Sequence, residues 1–171
     1  MNDSGPHPGQ ARDARSIPSG HDLRPGTLLL VEDNTDDIEL TLRALKRNGI
    51  HNPVVSLRDG VQALDYLRGS GEYEDRPIER PDVVLLDLKL PRVDGLEVLA
   101  QLKADHELKL LPVVVLTSSA DERDVRRAYE LGANSYVCKP GDFAGLLRLM
   151  GVLATYWLGT VQLPPDTRAP A

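Results

Sequence analysis

Residues 27–34 read TLLLVEDN, an unbroken apolar run that stops against two acids and an asparagine. A segment apolar at every position cannot keep one side in water, so it predicts a strand covered on both faces. Asn34 offers a side-chain acceptor to the first N–H groups of a helix, and Asp37 favours the same helix end. Ile38, Thr41, Leu42 and Leu45 then recur at helical spacing. Lys46 and Arg47 suit the C-terminal dipole, and Gly49 can end the helix.

The same strand-then-helix unit repeats outward from this one. Residues 54–57 form a short strand, and Gly60, Ala63, Leu64 and Leu67 a helical stripe. A polar loop, GSGEYEDRPIERP, follows. Residues 83–86 are a buried strand ending at Asp87, and Asp94 with Glu97 caps a helix carrying Val98, Leu99 and Leu102. Residues 113–116 form another buried strand. Ser119 and Glu122 make a capping box for a helix that runs through Val125 and Ala128 to Gly132. Residues 135–138 are the last strand, and a helix covers roughly 142–158. Strands alternating with helices imply an α/β fold with a doubly wound, five-stranded parallel sheet and right-handed crossovers. The three most apolar strands should be central and the second and fifth should be edges, which is the flavodoxin-like order 2-1-3-4-5.

Bulk properties narrow the function classes. The chain has 171 residues, 41% hydrophobic and 27% charged, with a net charge of -6. That is one domain's worth of core. The acidic balance argues against nucleic acid as a partner, which needs a basic face. Cys138 stands alone and cannot form an intramolecular disulfide. No continuous apolar run reaches the length of a membrane span, and the first residues lack a secretory hydrophobic segment, so a cytoplasmic protein with no membrane contact is expected. Residues 1–25 are rich in Pro, Gly, Ser, Asp and Arg and predict a disordered tail. The folded domain is expected over 26–158, with an arm and tail over 159–171.

Ligands of such a sheet bind beyond the carboxyl ends of its strands, where the first and third are neighbours. The sequence places Glu32 and Asp33 at one of those ends and Asp87 at the other. Three acids in one crevice repel unless a cation offsets them. Oxygen donors without His or Cys favour a hard ion, Mg²⁺ in particular. Helix capping is the plainer alternative for Asp33. Thr117 ends the fourth strand and Lys139 follows the fifth, so a hydroxyl and an ammonium join the same rim. Taken singly, Thr117 would be structural and Lys139 a solvated charge; at successive strand ends they form a set.

VEDN at 31–34, LLDLKLPRVDG at 85–95, VVLTSS at 114–119 and NSYVCKP at 134–140 resemble the receiver domains of two-component response regulators. The resemblance implies a (βα)5 receiver fold in which Asp87 is the phosphoacceptor. It implies that Glu32, Asp33, Asp87 and the backbone carbonyl of Lys89 form the Mg²⁺ site, with Glu32 acting mainly through bound water. Lys139 and Thr117 would bind the phosphoryl group, with a cis peptide before Pro140. Thr117 and Tyr136 match the switch pair, although on spacing alone Tyr136 reads as an edge-strand aromatic. Lys89 and Ser119 match positions that set the dephosphorylation rate. Such a protein is not an enzyme in the ordinary sense, since it catalyses only its own phosphorylation and dephosphorylation.

No second domain is expected after Leu158, so output must come through partner contacts. The last helix carries apolar residues over more of its circumference than one core-facing stripe requires. This predicts a homodimer through the fourth helix, fifth strand, fifth helix and C-terminal arm, with Tyr156, Trp157 and Leu158 at the interface. The alternative is that Tyr156 and Trp157 cover the sheet edge. The long loop after the second helix and the YWLGTVQLP ending resemble stand-alone receivers that work with phytochrome-type sensor histidine kinases, so a bacteriophytochrome is the implied partner. A degenerate receiver that binds without phosphorylation is the competing function. An aspartyl phosphatase would need a second acid two residues after its nucleophile, where Lys89 stands. A nucleotide-binding module would need a glycine-rich loop where EDNTDD stands.

Overall fold

Five parallel strands form one sheet in the order 2-1-3-4-5, as the apolar runs predict. The computed structural model describes residues 23–77 and 80–164. Strands β1 (Leu28–Val31), β3 (Val83–Leu86) and β4 (Val113–Thr117) are buried throughout. The edges, β2 (Val54–Leu57) and β5 (Ser135–Cys138), are mostly half-buried. The pleat sends alternate side chains into two separate cores. Leu29, Val31, Val84, Leu86 and Val115 face α2 (Gly60–Arg68), α3 (Gly95–Ala104) and α4 (Glu122–Glu130). Leu28, Leu30, Val83, Leu85 and Val114 face α1 (Thr35–Arg47) and α5 (Phe143–Ala154).

Local signals fix where the helices start. Asn34 accepts the N–H groups of Asp36 and Asp37 at 2.9 and 3.3 Å. Asp59, Asp94 and Asp142 cap α2, α3 and α5 in the same way. The expected Ser119–Glu122 box is replaced. Asp121, directly before α4, accepts the N–H of Arg123 at 2.9 Å, and Ser119 instead donates its hydroxyl to Asp124 at 2.6 Å. Leu42 also departs from its expected core position and is 36% exposed. The buried stripe of α1 runs through Thr41, Ala44 and Leu45, which turns Leu42 outward.

The last helix keeps close to its expected limits, running from Phe143 to Thr160 against roughly 142–158. Beyond Ala154 it continues as a π-helical stretch, Thr155–Thr160. Together Phe143–Thr160 make 18 residues of mean hydropathy 1.2, the length and composition of a membrane span. Arg148 and the glycines interrupt the apolar run in the sequence, but the helix passes through them. It lies against the sheet and α1: Leu146, Met150, Ala154, Trp157 and Leu158 continue one stripe into the second core. Trp157 and Leu158, expected at a dimer interface, are therefore buried within their own chain. Tyr156 and Val152 remain 49% and 66% exposed.

The folded part reaches back to residue 23, before the expected boundary. Leu23 packs against the second core. Arg24 donates its backbone N–H to the Leu158 carbonyl at 3.0 Å and its guanidinium to the carbonyls of Trp157 and Val161. Its Nε lies 3.6 Å from Asp82. The polar loop after α2 holds a short 3₁₀ turn, Gly71–Tyr73, with the Tyr73 ring edge-on to Tyr66. Residues 1–22 and 165–171, where most of the tails are expected, lie outside the described residues, as do Ile78 and Glu79.

The start of α3 is tied to the loop that follows β3. A Cβ added at Gly95 would stand 2.1 Å from the Asp87 carbonyl oxygen and 2.6 Å from Leu88 Cα. Backbone atoms cannot move aside as a flexible side chain would. Gly95→Ala is expected to cost about 2 kcal/mol or more of stability, read as a lowered midpoint in urea denaturation.

Candidate functional site

The carboxyl ends of β1, β3, β4 and β5 bring Glu32, Asp33, Asp87, Thr117 and Lys139 to one edge of the sheet. Backbone pairing sets the height of each. The Asp87 N–H donates to the Val31 carbonyl at 3.0 Å, the Glu32 N–H to Leu57 at 2.9 Å, and the Lys139 N–H to Thr117 at 2.8 Å. Glu32, Asp87 and Thr117 are buried, whereas Asp33 is exposed.

Glu32, Asp33 and Asp87 each turn one carboxylate oxygen to within 4.8 Å of the other two. The donors are all oxygens, with no His or Cys among them, so the set fits a hard divalent cation. The Asp87 carboxylate also accepts the N–H groups of Leu88 and Lys89 at 2.6 and 3.4 Å, which fixes the acid at the mouth of the loop. The Lys89 side chain points into solvent.

Lys139 answers this negative charge. Its ammonium bonds the Glu32 carboxylate, Asp37 Oδ2 at 2.9 Å and Asp87 Oδ2 at 3.2 Å. Burial works against the charge on Lys139, but the hydrogen bonds to Glu32 and Asp37 outweigh it and hold the ammonium above its usual pKa. Burial pushes the Glu32 carboxyl above its ordinary value, against the pull of Lys139 and of the Asn34 N–H. The Lys139–Pro140 peptide, expected cis, is trans, the isomer favoured by X–Pro bonds unless the surroundings select the other. Asp37 carried only a helix-end signal in the sequence. Its place beside Lys139 depends on how α1 leaves the sheet, which no local pattern encodes.

Thr117 lies on the same edge, and its Oγ1 accepts the Ser119 N–H at 3.3 Å. The Ser119 carbonyl in turn accepts the Tyr136 hydroxyl at 3.0 Å and contacts Cys138 Sγ at 3.4 Å. Tyr136 is half-buried, and its backbone N–H donates to the Tyr129 hydroxyl at 3.2 Å. The loop after β4 is thus tied through the Ser119 carbonyl to the edge strand and through the Ser119 hydroxyl to Asp124 of α4, while Tyr129 joins the edge strand to α4. Ser119 and Tyr136 are joined here by that hydroxyl–carbonyl bond.

The sequence matches the family described as the response regulator receiver domain over residues 28–150. It is 44% identical over 140 residues to Response regulator Rcp1 of Synechocystis sp., a match covering 82% of this chain and 94% of that protein. The crystal structure of the Mn²⁺-bound form of Rcp1 superposes with a TM-score of 0.76 over 82% of this chain and all of that one. The structure of the phosphorylated cyanobacterial phytochrome response regulator RcpA is 42% identical, with a TM-score of 0.77 over 83% of this chain and 100% of its own.

The electrostatics of the cleft generate a stability prediction. Removing the ammonium leaves buried carboxylates facing each other without a partner. Lys139→Ala is expected to lower stability by about 1–3 kcal/mol in chelator. Added divalent cation should narrow the gap to wild type, measured by thermal denaturation with and without Mg²⁺.

Proposed function

The chain belongs to the response regulator receiver family, and from that premise we propose that it is a single-domain phosphoswitch whose Asp87 accepts a phosphoryl group from a sensor histidine kinase. The observation that carries this reading is the Lys139 ammonium standing 3.2 Å from Asp87 in a cleft that also holds Glu32 and Asp33. A nucleophilic carboxylate, a cation site and a fixed positive charge are the parts phosphoryl transfer needs.

Asp33, Asp87 and the Lys89 carbonyl would hold Mg²⁺, with Glu32 acting mainly through bound water. When bound, the ion offsets negative charge among the carboxylates and the transferring oxygens. An Asp87 carboxylate oxygen attacks the phosphorus of a phosphohistidine on the partner. The new P–O bond forms as the P–N bond breaks, and the imidazole leaves with the electron pair. Lys139 turns from its carboxylates to a phosphoryl oxygen, and the Thr117 hydroxyl donates to another. Water later attacks the phosphorus, the bond from phosphorus to the Asp87 oxygen breaks, and inorganic phosphate leaves as the Asp87 carboxylate returns, so the chain acts only on itself. Lys89 and Ser119, two residues beyond Asp87 and Thr117, are read from the family resemblance as setting its rate. To move from about 1% to 99% active, the phosphoryl group must favour the active state by roughly 5.5 kcal/mol. Thr117 and Tyr136 carry that preference outward, since both connect to the backbone of Ser119.

The partner is read as a phytochrome-type kinase, supported by the likeness to RcpA. The outward face of α5 supports a homodimer through α4, β5, α5 and the residues after Thr160. Val152, Tyr156 and Tyr129 remain open there, while Trp157 and Leu158 do not.

Acetyl phosphate with Mg²⁺ should add one phosphoryl group to the wild type and none to Asp87→Asn, read by intact mass. A well-folded wild type that gains nothing from acetyl phosphate or from any of several kinases would instead make the chain a phosphorylation-independent binding module. Transfer from a phytochrome kinase should be faster than from unrelated kinases, and equal rates would remove that partner. Light scattering should report a wild-type dimer and a monomer for Val152→Glu with Tyr156→Glu. A monomeric wild type at high concentration, phosphorylated or not, would remove the dimer.

A further inference from the structure

Lys139 serves three carboxylates, and only Glu32 and Asp87 belong to the set that fits a cation. Asp37, the third, stands in the first turn of α1, where Asn34 pins its backbone N–H. Its carboxylate bonds the ammonium at 2.9 Å and its side chain is 38% exposed. An ammonium held only on Glu32 and Asp87 would compete with a divalent cation for both and repel it. An acceptor outside the cation set removes this conflict. The ammonium keeps a charged partner while Glu32 and Asp87 turn to the metal.

We infer that Asp37 is a positioning residue, holding the Lys139 ammonium on the α1 side of the cleft so that Lys139 and a divalent cation occupy it together. The inference rests on the reading of the cleft as a cation-assisted phosphoacceptor site. The bond is partly exposed and therefore modest in strength. That suits a group that must later leave for a phosphoryl oxygen, because a fully buried pair would hold it back. Asp37 does not touch the transferring group; it acts through Lys139. An acid that served only the helix dipole would act equally well whatever stood at position 139.

The test uses the full chain with isotope-labelled lysine, its Lys139 side-chain NMR signal assigned by loss in Lys139→Met. Asp37→Asn should shift that signal in metal-free protein, and Asp37→Glu should return it towards the wild-type position. By calorimetry, Asp37→Asn should weaken Mg²⁺ binding about threefold to fivefold, and by under about twofold on the Lys139→Met background. An unmoved Lys139 signal, or equal weakening in both backgrounds, would overturn the inference. Acetyl phosphate added to the same samples separates this from the reading beneath it. A phosphorylated wild type without Asp37–Lys139 coupling removes Asp37 alone. A wild type that shows the coupling but takes no phosphoryl group removes the phosphoacceptor and leaves the positioning role intact.

Discussion

One lysine makes the cleft tolerable. Two like charges 4 Å apart near a protein surface repel by about 4 kcal/mol, and Glu32, Asp33 and Asp87 approach within 4.8 Å. The ammonium of Lys139 offsets that repulsion, and the sheet delivers it there. Lys139 follows β5, whereas Asp87 follows β3, so its side chain must cross the end of β4. Only a long flexible stem can do this, and a rigid guanidinium fork would meet the crowded acids less well.

The second element of the design is the Ser119 carbonyl. It holds the half-buried Tyr136 ring and lies against Cys138, while its own N–H rests on Thr117. A hydroxyl at the cleft and an aromatic side chain at the sheet edge therefore share one short segment of backbone. A shift of that segment alters both, and Tyr129 couples it to α4 through the Tyr136 N–H.

The fold was legible because β1, β3 and all of β4 but Thr117 are apolar while β2 and β5 carry polar residues, a contrast that marks centre from edge. The acids and Lys139 were legible because each sits at the end of a strand, where sequence position maps directly to place. What stayed hidden depends on how elements pack. Asp37 looks like any acid in a first helical turn until α1 is docked. Asp121 and Ser119 both read as caps, and the choice between them turns on where the helix begins. Trp157 and Leu158 looked like an excess of apolar surface, yet they continue the stripe of Leu146, Met150 and Ala154 into the core. Arg148 and the glycines of that last helix break its apolar run without breaking the helix.

Arg24 has a consequence for how the chain can be handled. By binding the carbonyls of Trp157, Leu158 and Val161 it brings the entry and exit of the folded part side by side. They meet at the amino edge of the sheet, behind β1 and opposite the cleft. A tether, a fluorophore or a fused domain attached before residue 23 or after residue 164 therefore arrives at one place, clear of Asp87. Circular permutation across that junction would need only a short bridge, and it would leave the carboxylate edge facing outward.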